Sequence, residues 1–496
     1  MSKRPQRHEK IPSIWTYTAI AFFVIAAYAV GGAWLSVEES KMRAIMLFGV
    51  GACAVVSLFI LVGKETRKWE SLILLIILAG LIMRVGYMVY TTIGLRGHDI
   101  SEFNESGHLD YAYQLFATGK LPQTYKYQFY HPPLNAILEA IVVKVFSWFQ
   151  TNQDLHQLFE AAKIIPCFAS CALLPVFYSL FRELRMSPRA TALALAVLAF
   201  QPTFFLFSAS INNDSLMLLF YMIAVLYTVR WYNEPTLKNI LMIALAIGFG
   251  MSTKFSVLTV AGFTAPVFLL TLIRRMREKN PLPVVGQFAA FGAVCLPLGL
   301  WYTIRNHILF HIPFDYIYTL SRSDELYCGN RSIAERLLTF PIRQLIVPLY
   351  CKPYSDYNIW VYIAKCAVFG EYSFERSAMA ALPLTLSNLL LIGLSILAAI
   401  YVLVRCKETH LLARFGLFWL WLIQMGAYLA FNLQYPFGCT MDVRYIVPTI
   451  IVGAAYLGIA LDHLKDRNTP AANLLFYFGV AVIAVVAAAS TLFYAT

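Results

Sequence analysis

The chain has 496 residues, of which 59% are hydrophobic and only 13% are charged, and its formal net charge is +12 at pH 7. Soluble domains are on average about 45–50% apolar and about 25% charged. The composition therefore excludes a water-soluble globular protein, and it also excludes disordered, collagen-like and coiled-coil chains. Apolar runs recur along the whole sequence, which favours a single polytopic membrane domain.

Thirteen apolar runs approach the length of about 20 residues that a helix needs to cross a bilayer. The run at 14–35 follows a basic flank, but it is too long for a signal peptide and no small-residue cleavage site follows, so we interpret it as an uncleaved first span. The predicted spans cover residues 14–35, 43–63, 70–92, 156–182, 189–208, 215–232, 237–252, 255–273, 283–304, 383–404, 412–433, 445–462 and 472–494.

Basic residues are concentrated on one side of the predicted membrane. The links on that side hold 21 of the 39 lysines and arginines, whereas the short links on the other side hold only Lys41, Arg43, Lys254 and Arg444. By the positive-inside rule, the amino terminus is predicted to be cytoplasmic. We expect a multi-pass protein of the plasma membrane with its chemistry on the outer face.

Two segments on the predicted outer side are long, cover residues 93–155 and 305–382, and are rich in Tyr, Phe, Pro and His. We expect them to carry most of the chemistry. We expect the chain to divide into two N-terminal spans (1–69), a membrane domain that holds both long segments (70–462) and a C-terminal span (463–496). No repeat with a period of 20–50 residues is visible, which disfavours an inverted-repeat carrier.

A two-faced helix is predicted within the first long segment. Residues 131–133, His-Pro-Pro, enforce an extended entry. Asn135, Glu139 and Lys144 fall outside the apolar stripe of the helix that follows, which we expect to lie in the outer membrane interface, the alternative being a buried span. The stripe consists of Ile137, Leu138, Ile141, Val142, Val145, Phe146 and Phe149.

The first long segment also contains the candidate catalytic residues. Asp99 follows the third predicted span, close to the membrane yet wet enough to remain ionised, and suits a general base that takes a proton from an acceptor hydroxyl. Glu105 and His108 are alternatives for the same role. His108 and Tyr111 share a face of a short helix predicted for residues 105–118.

Polar residues from distant parts of the chain are predicted to meet at the outer membrane face. Asn213 and Asp214 open one span, where such side chains are ordinary helix N-caps. Lys254, at the tip of a tight pair of spans, can neutralise a lipid-borne phosphate. Arg305 and Arg444 lie at the outer ends of two other spans, where snorkelling arginines are common. Each has a structural explanation by itself, but their coincidence predicts one outward-facing pocket shared with the first-loop acid.

Several kinds of site have no motif in the sequence. There is no GxxxxGK[ST] or GxGxxG for a nucleotide, no HExxH or CxxC for zinc, no GxSxG elbow and no Asp-x-Asp. No cofactor is predicted, and a need for a divalent metal is left open. Cys328 and Cys351 both lie in the second long segment, and a disulfide between them is an open alternative. Arg84 and Lys163 lie inside apolar spans, where a charge costs at least about 2.5–3.5 kcal/mol unless it is accommodated.

Four short motifs within residues 97–134 carry a family resemblance. They are Gly97-His98-Asp99, Gly107-His108-Leu109-Asp110-Tyr111, Gly119-Lys120-Leu121-Pro122 and Tyr130-His131-Pro132-Pro133-Leu134. Together they resemble the first outer loop of the GT-C glycosyltransferase superfamily, in particular its protein O-mannosyltransferase and aminoarabinose-transferase-like branch. Weaker matches follow at residues 210–214, 253–254, 301–306 and 444–448.

The resemblance implies an all-α polytopic fold with about 13 transmembrane helices and interfacial helices in the first outer loop. It also implies an inverting transfer of a sugar from a polyprenyl-phosphate donor to a hydroxyl acceptor on the non-cytoplasmic side. Asp99 matches the first-loop acid of the family, with Glu105 as the alternative. The family places this acid after its first span, whereas here it follows the third, so the first two spans resemble an addition.

The residues thus receive three predicted roles. The candidate catalytic residues are Asp99, Glu105 and His108. The candidate ligands of the donor phosphate are Lys254, Arg305 and Arg444. The candidate substrate-binding residues are His98, Tyr111, His131, Asn213 and Asp214. The expected partners are a polyprenyl-phosphate sugar, a hydroxyl-bearing lipid, protein or glycan, and membrane lipids, with no nucleic acid. A lipid-linked sugar carrier or flippase and a glycan polymerase or ligase remain alternatives.

Overall fold

A computed structural model describes residues 13–34, 38–63, 66–95, 100–101, 103, 107–150, 154–346, 354–370 and 378–496. Within these ranges the regular secondary structure is helical, and the one extended pairing is an isolated antiparallel bridge between Tyr327 and Phe437. The predicted all-α class is therefore confirmed. The helices in chain order are α1 (Ile14–Ala27), α2 (Glu39–Val62), α3 (Lys68–Tyr90), α4 (His108–Thr118), α5 (Leu134–Ser147), α6 (Leu155–Phe159), α7 (Ile164–Glu183), α8 (Pro188–Phe200), α9 (Pro202–Leu206), α10 (Asp214–Asn233), α11 (Leu237–Met251), α12 (Ala261–Arg277), α13 (Leu282–Phe310), α14 (Ile333–Leu338), α15 (Ile359–Phe369), α16 (Ala378–Arg405), α17 (Leu417–Gln434), α18 (Val447–Arg467) and α19 (Pro470–Ala495).

Eleven helical segments in the described part of the chain are long and apolar enough to cross a membrane, as in a multi-pass membrane protein. Eleven of the thirteen predicted spans coincide with them. The predicted spans at 189–208 and 237–252 instead correspond to the shorter apolar helices α8 and α11. The first of these runs is broken at Gln201, whose backbone is extended because the following Pro202 disfavours helical geometry. The number of helices that cross the membrane stays a prediction.

Helices α7, α8, α10 and α18 form the interior of the bundle. α10 packs against α7 and α11, α18 packs against α8 and α16, and α3 also packs against α8. Their buried side chains form one large cluster of aliphatic and aromatic residues. By contrast, α2 exposes Phe48, Phe59 and Val62, and a helix with large exposed apolar side chains fits a lipid surround.

The guanidinium of Arg84 joins three helices in the interior. It is fully buried and donates hydrogen bonds to the carbonyl oxygens of Gly80, Ser170, Leu198 and Ala199 at 3.0–3.1 Å. The last four carbonyls of a helix have no partner within it, and two of these acceptors belong to the last turn of α8. Arg84 is therefore a structural residue that satisfies the end of α8 and ties it to α3 and α7.

Lys163 has a similar arrangement at the end of α3. Its ammonium group donates to the carbonyl oxygen of Met88 at 3.0 Å and to that of Thr91, and it pairs with Glu160 at 2.5 Å. Lys163 thus donates to one carbonyl in the last turn of α3 and to one just beyond it, which have no partner within the helix. The charge cost noted from the sequence is offset by these partners, so Lys163 also has a structural role.

Helix α5 buries two of its polar residues, and part of its apolar stripe faces outward whereas Phe146 packs against buried residues. Asn135 and Glu139 are buried, and the carboxylate of Glu139 accepts a hydrogen bond from Asn135 Nδ2 at 2.8 Å. Ile141 and Phe149 are exposed. This orientation fits a helix whose outer face lies against lipid. Its position relative to the membrane stays a prediction.

Helix α4 ends where the sequence predicts, at Thr118. The next residue, Gly119, has φ +66°, a left-handed conformation that glycine adopts without a steric penalty. At the other end, the carboxylate of Asp110 accepts hydrogen bonds from the backbone N–H groups of Gly107, at 3.2 Å, and Phe103. The described helix begins at His108, and residues 104–106 lie outside the described part of the chain.

Candidate active site

A cavity of about 770 Å³ lies between the two long segments and the ends of helices α10, α13, α17 and α18. This volume is within the range of about 300–1,000 Å³ that is typical of small-molecule sites. One end, which we term the cationic end, is formed by Lys254, Arg444 and Tyr445. A second part of the lining, which we term the loop wall, is formed by Tyr127, Gln128, Tyr130, residues 312–320, Asp324 and Leu326.

Two cations meet around a single aromatic ring at the cationic end. Lys254 Nζ lies 5.4 Å from the ring centroid of Tyr445, and Arg444 Cζ lies 5.2 Å from the same centroid. These distances are typical of cation–π interactions. Lys254 Nζ also donates a hydrogen bond to Asp214 Oδ1 at 2.6 Å, and Arg444 Nε lies 3.8 Å from Asp442 Oδ2. Each buried cation therefore has a carboxylate neighbour that offsets the cost of burying its charge.

Two histidines line the cavity beside the cationic end. The rings of His108 and His131 stack with their centroids 5.7 Å apart and their planes at 16°. Burial lowers the pKa of His131 well below its usual value, and the positive charge of Lys254 and then the neighbouring His108 and Arg444 lower this pKa further. His131 is therefore neutral at pH 7, so one ring nitrogen can accept a hydrogen bond.

The turn that carries Lys254 is held by two other parts of the chain. The backbone N–H of Leu134 donates to the carbonyl of Ser252 at 3.0 Å, and Asn213 Nδ2 donates to the carbonyl of Thr253 at 3.3 Å. Two prolines precede Leu134 and have no N–H, so Leu134 is the first residue after them that can donate. The His-Pro-Pro segment, the start of α10 and the lysine turn are thus bound to one another.

The end of α13 holds the first long segment in place. The hydroxyl of Tyr302 donates to the carbonyl of Phe129 at 2.9 Å, and Asn306 Nδ2 donates to the carbonyl of Tyr130 at 3.2 Å. Both carbonyls belong to the short 3₁₀ turn at Tyr127–Tyr130. Part of the loop wall is therefore fixed by buried polar side chains of a long helix.

Four of the predicted site residues lie beside the cavity instead of on its described lining: Tyr111, Asn213, Asp214 and Arg305. Arg305 donates to the carbonyl of Pro122 at 2.8 Å, and the hydroxyl of Tyr111 is hydrogen-bonded to that of Tyr302 at 2.8 Å. Asn213 uses its amide on the lysine turn, as described above. These residues fix the segments that carry the cavity residues. Arg305 contacts the first long segment through Pro122, and its role as a phosphate ligand stays a prediction.

Three other predicted residues, His98, Asp99 and Glu105, lie outside the described residues. Their distances to the cationic end are therefore not defined, and their roles stay predictions. The same is true of the pairing between Cys328 and Cys351, because Cys351 is also outside the described part. Among the residues that are described, no group of three or more His, Cys, Asp and Glu side chains is placed to hold a metal ion.

The loop wall was not predicted from the sequence. Its aromatic rings pair across the two long segments: Tyr127 with Tyr318 at 5.0 Å between centroids, and Tyr130 with Tyr316 at 5.4 Å. The one signal in the sequence was the high content of Tyr and Phe in both segments. Pairing between loops that are far apart in the chain leaves no local periodicity from which it could be predicted.

Comparisons with known proteins agree with the resemblance seen in the sequence. A family model described as dolichyl-phosphate-mannose-protein mannosyltransferase matches residues 130–301, a range that contains His131, Asp214 and Lys254. This match confirms the resemblance to the GT-C superfamily of membrane glycosyltransferases. No curated protein matches the sequence significantly.

Among solved structures, the archaeal oligosaccharyltransferase AglB from Archaeoglobus fulgidus, determined with an inhibitory peptide and a dolichol-phosphate, is similar to this chain. The sequences are 14% identical, the TM-score is 0.46, and the alignment covers 86% of this chain. The chain spans 55% of the length of that oligosaccharyltransferase.

Proposed function

We propose that the chain is an inverting glycosyltransferase that moves a sugar from a polyprenyl-phosphate donor to a hydroxyl acceptor on the non-cytoplasmic face of the plasma membrane. The observation that carries the proposal is the meeting of Lys254 and Arg444 around Tyr445 at one end of a cavity. Fixed cations at a phosphate site stabilise the charge of a departing phosphate. The family match over residues 130–301 supports the same assignment.

In the proposed reaction, the acceptor oxygen loses its proton to a base and forms a bond to C1 of the donor sugar. The bond between C1 and the phosphate oxygen breaks, and its electron pair leaves with the polyprenyl phosphate. Attack from the side opposite the leaving group inverts the configuration at C1. Because the phosphate gains charge as this bond breaks, Lys254 and Arg444 would stabilise the transition state more than the bound donor.

We assign the base to Asp99, with Glu105 and His108 as alternatives. The assignment of Asp99 comes from the family resemblance. One contact supports its placement near the cavity: the backbone N–H of Leu109 donates to the carbonyl of Ile100 at 3.2 Å. The residue after Asp99 is therefore held against the start of α4, the helix whose first residue, His108, lines the cavity.

The remaining residues are proposed to position these groups. Asp214 orients Lys254 through the hydrogen bond at 2.6 Å. His131, as a neutral imidazole at the cationic end, would accept a hydrogen bond from a donor hydroxyl. Arg305 would hold the first long segment through Pro122. We also propose that His98, Tyr111 and Asn213 contribute to substrate binding. Tyr111 and Asn213 would do so by fixing the segments to which they are hydrogen-bonded.

The test is the release of free polyprenyl phosphate. Purified protein in lipid nanodiscs is incubated with hydroxyl acceptors and a panel of polyprenyl-phosphate monosaccharides, and the lipid products are identified by mass spectrometry. We expect release from at least one donor. Lys254→Met and Arg444→Gln are each expected to slow it by about 10²–10³-fold, the effect typical of removing one transition-state-stabilising group.

A matched control is Lys120→Met, which removes an exposed cation of the first long segment and is expected to leave the rate unchanged. Absence of release from every donor, or equal rates in the wild type and the two cavity variants, would contradict the proposal. A carrier would bind the donor and return it intact. A polymerase or ligase would use donors that carry a sugar chain and ignore those that carry one sugar.

A further inference from the structure

The loop wall is the part of the cavity that the proposed donor site does not explain. Aromatic rings from both long segments line it, together with amide, hydroxyl and carboxylate groups. The rings are those of Tyr127, Tyr130, Phe314, Tyr316 and Tyr318, and the polar groups include those of Gln128, Asp315, Thr319 and Asp324. A second substrate is therefore expected to contact both kinds of group.

The aromatic surface runs from the loop wall to the cationic end. The ring of Tyr130 lies 5.4 Å from that of Tyr316 and 4.1 Å from that of His131, centroid to centroid. His131 in turn stacks on His108 beside the cationic end. A molecule bound along the loop wall would therefore have one end next to the site proposed for the donor phosphate.

The charges on the cavity lining disfavour an anionic occupant at the loop wall. Among the described lining residues, the only lysine and arginine side chains are Lys254 and Arg444, both at the cationic end. The loop wall contributes two carboxylates, Asp315 and Asp324, instead. Phosphorylated or acidic acceptors would be repelled by these carboxylates and would find no cation on the loop wall.

The backbone of the loop wall disfavours a peptide that binds by strand addition. In that mode an extended peptide adds a strand to an exposed sheet edge. In the described part of the second long segment, residues 312–326 form no strand, and the adjoining Tyr327 makes a single bridge to Phe437. Aromatic rings have electron-rich faces that attract the C–H groups of a sugar ring. Amide, hydroxyl and carboxylate groups can then bind the sugar hydroxyls.

We infer that the loop wall binds a neutral saccharide, which is the acceptor of the transfer. This inference rests on the proposed function for the identity of the reaction, whereas the binding of the saccharide itself does not need the donor. The occupant would lie against the rings of Tyr127 and Tyr318, which are 5.0 Å apart. Its reacting hydroxyl would point along Tyr130 toward His131.

Binding can be measured without any donor. The full-length protein in nanodiscs is mixed with maltose, cellobiose, lactose and mannobiose, and saturation-transfer difference NMR reports which disaccharide contacts the protein. A threonine-containing hexapeptide and a glucuronic-acid-containing disaccharide are measured in parallel. We expect transfer to at least one neutral disaccharide, with about threefold to tenfold weaker binding in Tyr127→Ala and in Tyr318→Ala, as for the loss of one aromatic contact.

The controls separate loss of the ring from loss of the fold. Tyr318→Phe keeps the ring and is expected to bind within about twofold of the wild type, because the face of the ring makes the contact. Phe340→Ala removes an exposed aromatic of the same long segment away from the cavity lining and is expected to have no effect. A shared melting temperature among these variants establishes that they are folded.

Three results would overturn the inference: no transfer to any neutral disaccharide, binding that is unchanged in both alanine variants, or binding of the hexapeptide or the acidic disaccharide in place of the neutral ones. The outcome is distinct from that of the release assay. Tyrosine-dependent saccharide binding without release of polyprenyl phosphate would refute the transferase and keep the saccharide site. Release of polyprenyl phosphate without saccharide binding would keep the transferase and refute the saccharide site.

Discussion

Lys254 is the residue on which the proposed donor site depends most, because its ammonium group is buried and hydrogen-bonded to Asp214. Removing one partner of a buried ion pair leaves an uncompensated charge and typically costs about 3–5 kcal/mol. Asp214→Asn is therefore expected to lower the free energy of unfolding by about that amount. The double variant Lys254→Met/Asp214→Asn is expected to recover most of it, because neither charge is then left unpaired.

The measurement is thermal or denaturant unfolding of the protein in nanodiscs. Asp466→Asn is the control, because Asp466 pairs with Arg189 at 2.5 Å while its own side chain is 70% exposed. Exposed pairs contribute about 0–1 kcal/mol, so this variant should unfold close to the wild type. If Asp214→Asn and Asp466→Asn unfold alike, the pair at the cationic end is not buried as described.

Tyr445 is expected to position both cations through the face of its ring. Each cation–π interaction contributes about 0.5–2 kcal/mol. Tyr445→Leu should therefore weaken the apparent affinity for the polyprenyl-phosphate donor by about tenfold, whereas Tyr445→Phe should stay within about twofold of the wild type. The measurement is the KM for the donor in the release assay. Equal KM values for the leucine and phenylalanine variants would rule out a role for the ring.

The lowered pKa of His131 predicts that the stability of the protein depends on pH. The pKa of His131 is lowered in the folded protein by burial and by Lys254, His108 and Arg444, whereas a histidine in the unfolded chain titrates near about 6.5. The unfolded chain therefore binds more protons than the folded protein as the pH falls below about 6.5. The folded protein therefore loses stability as the pH falls from about 6.5 to the lowered pKa of His131. Below both pKa values, His131 causes no further change in stability.

The variant His131→Gln removes the contribution of this histidine to the pH dependence. Its melting temperature should therefore fall less than that of the wild type between pH 7 and pH 5. His156→Gln, which replaces an exposed histidine outside the cavity, should fall as the wild type does. The comparison uses thermal unfolding at both pH values. A fall in His131→Gln that equals the fall in the wild type would show that His131 is not a source of the acid sensitivity.

At the scale of the elements, Arg84 is expected to hold the end of α8 against α3 and α7. Arg84→Met leaves buried carbonyls without donors and should lower the free energy of unfolding by about 3 kcal/mol or more. Arg84→Lys should recover only part of this, because an ammonium group has three donors and lacks the planar fork of a guanidinium.

Turnover per folded molecule should stay near the wild-type value in both Arg84 variants, since Arg84 does not line the cavity as described. The amount of folded protein is measured by gel filtration and unfolding, and turnover by the release of polyprenyl phosphate. Wild-type stability of Arg84→Met would contradict the structural role. Loss of turnover in fully folded protein would show that Arg84 acts on the site itself.

The elements that could be predicted are those with a local cause. Long apolar runs predicted the positions of eleven helical segments, and Gly119 predicted the end of α4. The break between α8 and α9 was missed, because both halves of the run at 189–208 are apolar and only the single Pro202 separates them. Hydrophobicity alone could not show which residues of the apolar stripe of α5 face outward, because a lipid surround removes the usual drive to bury apolar side chains.

At the scale of the whole molecule, topology predicted part of the site. Because consecutive spans alternate in direction, residues at alternate span ends share one face of the membrane. The structure brings Asp214, Lys254 and Arg444 together at one end of the cavity, as this reasoning predicts. The same reasoning could not show that Arg444 lines the cavity while Arg305 contacts Pro122, since these contacts depend on how the helices pack against the first long segment.

The central claim is that the cationic end binds the phosphate of a polyprenyl lipid. Native mass spectrometry of the protein with added polyprenyl phosphate tests it directly, because no sugar, acceptor or turnover is required. The wild type and the exposed-cation variant Arg322→Gln should retain one lipid phosphate, and the folded double variant Lys254→Met/Arg444→Gln should lose it. Equal retention by all three proteins would contradict the account.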